Sequence, residues 1–183
     1  MGESYPYGVA ATSGSDAWAV GSTGDAQHLD SLIEHWDGAA WKIVRSPARN
    51  AGLYAVAATS ARDAWAVGAT VNVNGHDNTV IEHWDGTAWR LVPSPSPGGI
   101  TGSPQLYAIA AISASDAWAV GGYQRSVADY GSTLIEHWNG RVWRQVPSPS
   151  PVRGFSLYGV AASSAGNAWA AGYSSAQIGR AHV

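Results

Sequence analysis

The chain has 183 residues, 45% of them hydrophobic and only 13% charged; this is enough for a packed core and excludes a disordered segment. A net charge of -3 excludes a broad electrostatic grip on nucleic acid or an anionic membrane surface. Cysteine is absent, which rules out disulfides, thiolate metal sites and a cysteine nucleophile, and no apolar run approaches the ~18 residues that span a bilayer. The opening MGESYPYGVA has no basic n-region and no apolar h-region, so no signal peptide is read there.

In chain order, YGVAATSGSDAWAVG (7–21) recurs as LYAVAATSARDAWAVG (53–68), LYAIAAISASDAWAVG (106–121) and LYGVAASSAGNAWAAG (157–172). In step with it, LIEHWDGAAW (32–41) recurs as VIEHWDGTAW (80–89) and LIEHWNGRVW (134–143). The equivalent tyrosines Tyr7, Tyr54, Tyr107 and Tyr158 lie 47, 53 and 51 residues apart, a period in the size range of propeller blades. Each unit reads as four short strands. Strand a is small and β-branched, suited to a crowded axis; strand b is DAWAVG; strand c is the LIEHW type; strand d starts at the second tryptophan and ends at Ser-Pro.

Asp37-Gly38, Asp85-Gly86 and Asn139-Gly140 separate strands c and d and predict two-residue type I′ hairpins, which need positive φ at both positions. In the second unit that turn places Trp84 opposite Thr87, His83 opposite Ala88 and Glu82 opposite Trp89. Val80, Glu82, Trp84, Trp89 and Leu91 then share one face, and Ile81, His83 and Val92 the other. Both faces carry large apolar groups, as in a sheet sandwiched between neighbours. No segment sustains a 3.6-residue period, so helical solenoids are the wrong class, and β-solenoid rungs are usually shorter than this unit.

The sequence therefore predicts an all-β partial β-propeller of four-stranded antiparallel blades: three complete blades at about 5–48, 53–97 and 106–151, and strands a and b of a fourth at 157–177. Such an arc is open. It is expected to leave apolar faces bare beside Trp18 and Trp169 and to self-associate through them. The last six residues, IGRAHV (178–183), match the in-frame translation of a short-read sequencing adapter and are set aside as an artefact. The paired DAWAVG and IEHWDG-x-x-W-x-x-VPSP motifs resemble the propeller-type repeats of many uncharacterised, often secreted, bacterial proteins, especially of actinobacterial and Chloroflexi-like genomes. That resemblance covers the chain to about Gly172. It implies the fold and an extracellular or cell-surface setting, and brings no activity or catalytic residues.

Glu34-His35, Glu82-His83 and Glu136-His137 invite a reading as acid/base pairs or metal ligands. Adjacent strand residues point to opposite faces, however, so each Glu diverges from its own His. Repetition in every unit also favours packing over a single asymmetric active site. The pairs are read as structural: Glu82 accepting from an indole N–H or a backbone amide, His83 bonding a serine or aspartate of a neighbouring strand. Asp16, Asp63 and Asp116, with Asn167, are read as caps of the a–b turn. The tryptophans are read as inter-blade core, and Asn72, Asn74, Asp77 and Asn78 as a polar turn, not a calcium loop.

The a–b and c–d turns barely vary in length, whereas the b–c loops and the d–a connections do. Strand parity puts the variable pair on one rim, where binding is expected. The overall reading is a non-catalytic binding or scaffolding module for a protein or carbohydrate, with no catalytic, cofactor-binding or metal-binding residue, no nucleic-acid partner and no membrane span. The alternative is part of a glycan-active propeller enzyme of sialidase or lyase type. Such an enzyme would need unrepeated polar residues on the variable rim, for which Tyr123, Arg125, Asp129 and Tyr130 are the candidates.

Overall fold

The computed structural model describes residues 3–25, 29–71, 77–98, 102–124, 131–148, 155–174 and, for the backbone alone, 178–182. Blade 1 comprises β1 (Glu3–Ser13), β2 (Asp16–Gly24), β3 (Leu29–Trp36) and β4 (Trp41–Ile43). Blade 2 comprises β5 (Ala51–Ser60), β6 (Asp63–Thr70), β7 (Thr79–Trp84) and β8 (Trp89–Leu91). Blade 3 comprises β9 (Gln105–Ser113), β10 (Asp116–Tyr123), β11 (Ser132–Trp138) and β12 (Trp143–Gln145). Blade 4 comprises β13 (Phe155–Ser164), β14 (Asn167–Ser174) and β15 (Ile178–His182). Each sheet is an antiparallel meander in chain order. The first strands of successive blades pack on one another, so the sheets converge there and splay outward.

Each first strand carries a bulge at its repeat tyrosine. The ladder shifts between Pro6 and Gly8, Leu53 and Ala55, and Leu157 and Gly159, leaving Tyr7, Tyr54 and Tyr158 unpaired; Tyr107 occupies the same place. The bulge turns these rings into a ladder along the inner strands, with successive centroids 5.9, 5.9 and 4.9 Å apart. It also presses the inner strand onto the glycine that closes DAWAVG. A Cβ on Gly21, Gly68, Gly121 or Gly172 would lie 1.8–2.1 Å from a carbonyl oxygen of Tyr5, Gly52, Gln105 or Ser156. Glycine recurs there because no side chain fits.

The core lies between the blades. Trp18, Val20 and Ile33 of blade 1 meet Val80 and Trp89 of blade 2. Trp65, Val67 and Ile81 meet Leu106, Leu134 and Trp143 of blade 3. Trp118, Val120 and Ile135 meet Leu157, Ala168 and Ala170 of blade 4. Blade 2 is thus covered on both faces, with the expected division between the Val80 and Ile81 sides.

The c–d hairpin differs from expectation in register. Trp84 pairs with Trp89, His83 with Arg90 and Glu82 with Leu91, so the loop has four residues, not two. Gly86 alone has positive φ, at 88°, and Asp85 does not. The Asp85 side chain explains this: Oδ1 accepts from the backbone amides of Thr87 and Ala88, both at 2.9 Å, forming a side-chain-capped turn. A shift of two residues preserves side-chain parity, so the expected faces hold although the partners do not.

The two end faces are open, but not both where expected. Trp18 is buried against blade 2; the exposed apolar groups of blade 1 are Val9, Trp41 and Ile43 on its outer side. At the other end Trp169 is half-exposed, as anticipated. Residues 178–182, set aside in the sequence reading, pair antiparallel with β14 from Tyr173↔Ile178 to Trp169↔His182. This pairing gives blade 4 a third strand, which the sequence reading did not assign, and supplies partners to the N–H and C=O groups along that edge of β14.

Replacing Gly68 with Ala should cost at least about 3 kcal/mol, since the methyl meets fixed backbone and not a side chain that can turn away. Urea unfolding of that variant beside Ala69→Gly, its strand neighbour, checks this; the second change should cost only about 1 kcal/mol.

Candidate functional site

On strand b the aspartate, tryptophan and following valine point toward the next blade, and the strand-c histidine lies opposite the tryptophan. Each histidine ring stacks on that indole, at centroid separations of 4.3, 4.1 and 4.2 Å for His35, His83 and His137. Its Nε2 reaches the aspartate at the head of strand b: Asp16 and Asp63 at 2.7 Å, Asp116 at 2.8 Å. Thr12 and Thr59 donate to the same carboxylates. Burial opposes ionisation of Asp16, but hydrogen bonds from His35 and Thr12 outweigh it and hold the carboxyl below its usual range.

His83 therefore bonds an aspartate of the neighbouring strand, one of the two expected partners. The aspartates differ from expectation in one respect: their carboxylates serve the histidine and threonine, while the turn amides of Ser15, Arg62 and Ser115 are capped by Ser13, Ser60 and Ser113. The serine stands two residues before the amide, within reach of its own turn; the aspartate is directed along the strand face instead.

The glutamates face the other way, toward the preceding blade. Glu82 is fully buried and accepts from Ser46 Oγ at 2.6 Å and from the Ala48 amide at 3.3 Å. The partner is thus a hydroxyl and a backbone amide of the chain leaving blade 1, and no indole is involved. Burial pushes the Glu82 carboxyl up, partly offset by those two donors. Glu136 occupies the same place in blade 3, but neither of its buried oxygens has a hydrogen-bond partner. Ser94, the counterpart of Ser46, is turned to Thr79 Oγ1 at 2.8 Å. Without a donor, burial pushes Glu136 up to about 8.

The a–b and c–d turns share one rim. Trp36, Trp84 and Trp138 donate their indole N–H groups to the carbonyls of Gly14, Ala61 and Ala114 at 3.0–3.1 Å. On the hairpin tips Asp37 and Asp85 sit well below the usual carboxylate range. Hydrogen bonds from Lys42 and the Ala40 and Ala39 amides hold Asp37 down, and Thr87, Arg90 and the Ala88 amide do so for Asp85. Polar groups here are consumed by the scaffold.

The b–c and d–a segments share the opposite rim, as parity requires: the Val71 amide donates to Asn50 O at 2.6 Å, and the Asn50 amide to Asp30 Oδ1 at 3.2 Å. On this rim, between blades 3 and 4, lies a cleft of about 220 Å³ lined by Ser103, Gln105, Tyr107, Gly122, Tyr123, Gln124, Gly131 and Ser156. Tyr107 donates to Gln105 Oε1 at 2.8 Å. Burial, then the neighbouring Tyr158 and Tyr54, push its hydroxyl up to about 12, so it stays a neutral donor. Gly122 opens the cleft, because a Cβ there would come within 2.6 Å of Ser156 Oγ. The equivalent positions are Ser22, Ala69 and Tyr173.

Of the anticipated rim candidates, Tyr123 lines this cleft, whereas Arg125, Asp129 and Tyr130 lie outside the described residues, as do Asn72 and Asn74. Asn78 pairs with the end of β6: its amide donates to Thr70 Oγ1 at 2.8 Å and its carbonyl accepts from the Thr70 amide at 2.9 Å. Gln105, Gly122 and Ser156 escaped the sequence reading. Aligning the units residue by residue would have marked them as positions at which the blades differ. Among the described residues no group of three or more His, Cys, Asp or Glu side chains could hold a metal ion, and no helix is long and apolar enough to cross a membrane.

A fucose-specific lectin from Aleuria aurantia matches 98% of this chain with a TM-score of 0.61 and 18% identity, over 60% of the lectin chain. The fold is a partial β-propeller. A mutant Aleuria aurantia lectin in complex with α-methyl-L-fucoside matches 93% of the chain, and 57% of its own, with a TM-score of 0.57 and 16% identity. The chain thus spans about three-fifths of the lectin's length. No protein-family model matches the sequence, and no curated protein does.

Glu82→Ala should destabilise the fold by about 1–3 kcal/mol, because it strands the half-buried Ser46 hydroxyl, while the Ala48 amide keeps its bond to Ser46 Oγ. Chemical denaturation measures this. Glu136 predicts a pH dependence of defined sign. Its folded pKa is raised, so the stability of the protonated form is fully present below about pH 4.3, the unfolded value. It is lost as pH rises through about 8. Glu136→Gln should remove that loss: its Tm should exceed that of the wild type by a margin that widens from pH 5 to pH 9.

Proposed function

We propose that the chain is a non-catalytic propeller binding module that takes its ligand on the b–c/d–a rim, at the cleft between blades 3 and 4, and that the ligand is a carbohydrate. The observation that carries this reading is the division of labour between the rims. The repeated Asp and His side chains are engaged with each other inside each blade, Glu82 bonds the chain leaving blade 1, and the strand-b tryptophans pack between blades. The cleft is lined by the repeat residue Tyr107, by blade 3 residues at positions where the blades differ, Gln105, Gly122 and Tyr123 among them, and by Ser156 of blade 4. Its amides and hydroxyls, with two tyrosine rings, suit a sugar, which offers hydroxyls to polar side chains and C–H faces to aromatic ones. The lectin that shares this fold is described as fucose-specific, which makes fucosides the first ligands to try. An extracellular or cell-surface setting accords with such a ligand.

The alternative, a glycan-active enzyme of sialidase or lyase type, needs acid/base groups at the reacting bond, which in sialidases include a tyrosine nucleophile. The cleft's described lining holds tyrosines but no carboxylate, and Glu136, with its raised pKa, is enclosed away from any substrate. A protein ligand on the same rim is the other outcome of the test.

Glycan-array screening followed by titration of the best hit tests the proposal. Gln124→Ala should weaken binding about tenfold, the loss of roughly one good hydrogen bond. Gly122→Ser, which reproduces the residue blade 1 carries, should weaken it at least as much by narrowing the cleft. Gln124→Ala should unfold at the wild-type temperature, so its loss of binding is not a loss of fold. Binding that survives both changes and fails on mutation of Arg62 or Asp85 would move the site to the opposite rim.

A further inference from the structure

The c–d hairpin tips of the three complete blades share one side-chain cap, carried by different residues. In blade 1, Asp37 Oδ1 accepts from the amides of Ala39 and Ala40, both at 3.0 Å. In blade 2, Asp85 Oδ1 accepts from those of Thr87 and Ala88, both at 2.9 Å. In blade 3 the capping oxygen belongs to an asparagine: Asn139 Oδ1 accepts from the Arg141 and Val142 amides, both at 3.1 Å. The second oxygen of each aspartate meets a base on strand d. Asp37 pairs with Lys42, and Asp85 Oδ2 lies 2.6 Å from Arg90 Nε. Arg144 stands in the same register, opposite His137 as Lys42 is opposite His35 and Arg90 opposite His83. Its counterpart on the tip is the Asn139 side-chain NH2, a donor that cannot pair with a guanidinium. Blade 3 thus has the turn and the base of an ion pair without the carboxylate.

Asn139 is also the described asparagine best placed to become that carboxylate. It is exposed at the hairpin tip and is followed by Gly140, which has a φ of 84° and no side chain to shield its nitrogen. No hydrogen bond among the described residues engages that nitrogen. The two amides on Oδ1 polarise the Cγ carbonyl and are aimed at the oxygen on which charge develops under attack, as in an oxyanion hole. Asn50, Asn78 and Asn167 precede Ala51, Thr79 and Ala168, whose side chains crowd the following nitrogen. The chain's other Asn-Gly step, Asn74-Gly75, lies outside the described residues.

We infer that Asn139 is a site of spontaneous deamidation, and that the turn around it is set to receive an α-linked aspartate. The Gly140 nitrogen attacks Asn139 Cγ and forms a C–N bond. The Cγ–Nδ2 bond breaks, and ammonia leaves with the proton that the Gly140 nitrogen gives up. Water then opens the cyclic imide. Attack at Cγ restores the ordinary backbone and leaves a side-chain carboxylate, whereas attack at the Asn139 backbone carbonyl gives isoaspartate, with an extra methylene in the chain. The Arg141 and Val142 amides act on the Cγ oxygen and so direct water to Cγ. The carboxylate formed there keeps both caps and pairs with Arg144, as its counterparts do in the sibling blades. The added negative charge falls on the rim opposite the cleft between blades 3 and 4.

Incubation of the folded full chain in mildly alkaline buffer, with peptide mapping by mass spectrometry at intervals, tests the inference. Asn139 should lose its amide at least about tenfold faster than Asn50, Asn78 and Asn167. Aspartate should exceed isoaspartate, the two product peptides being separated by chromatography, and incubation in urea should lower that ratio because the caps are gone. An Asn139 that reacts no faster than the other three overturns the inference; so does a majority of isoaspartate in the folded chain, or a ratio that urea leaves unchanged. Asn139→Asp examines the receiving turn by itself. The new carboxyl, followed by NMR, should titrate below the ordinary value of about 3.9, and Arg144→Ala in the same chain should raise it. A carboxyl at the ordinary value, or one indifferent to Arg144, means that the turn is not set for aspartate. If Arg144→Ala unfolds, Arg144→Gln takes its place with the same outcomes decisive. None of these readouts involves a ligand, so failure here leaves the proposed rim site untouched.

Discussion

At each junction between two complete blades one indole is inserted between two indoles of the next, and this is the interaction on which the rest depends. Trp18 and Trp65 are the largest fully buried side chains of the molecule. A three-residue outer strand such as β8 has little hydrogen bonding of its own, and Trp89 anchors it by packing across the junction instead. Large rings held edge to face and tilted set both the spacing and the angle between sheets. Five buried indole N–H groups, including those of Trp18 and Trp65, have no hydrogen-bond partner, a cost accepted for the area these rings bury.

Around that insertion the polar residues act as orienting groups. The histidine stacks behind the inserted tryptophan and is held by an aspartate at the start of the same strand, so the ring is backed on one side and packed on the other. On the opposite face of the sheet, Glu82 ties the chain leaving blade 1 to blade 2. Blade 3 repeats the glutamate without its donors, because Ser94 bonds Thr79 within its own blade. The same motif thus yields a hydrogen-bonded latch at one junction and, at the next, a buried carboxyl without a donor. A single hydroxyl decides which.

This use of polar groups for packing leaves the two rims unequal. On one, tryptophan N–H groups and aspartate side chains close the turns so completely that every blade looks alike. On the other, connections of different length bring together side chains that no repeat rule governs. A scaffold identical from blade to blade and a rim that differs at each is the arrangement in which ligand specificity can change without loss of fold.

Much of this was legible in the residues. The recurrence of DAWAVG and IEHWDG determined the number and order of the strands in the three complete blades, though not the third strand of blade 4, and period-two alternation determined that Glu82 and His83 would serve opposite junctions. Side-chain parity needs only the backbone, so it survived even the wrong hairpin register. Only the tertiary structure decided what depends on distances across blades: that the Asp85 side chain, capping two amides, makes a four-residue loop; that the glutamate's partner is Ser46, 36 residues away; that Trp18 is covered while Trp41 is not. The cleft was hidden for the same reason. Gln105, Gly122 and Ser156 belong to three strands of two blades, and they become a site only when a missing Cβ on one leaves room beside the hydroxyl of another. Local pattern governs which way a side chain points; which groups it then meets is settled by packing, and no stretch of sequence contains it.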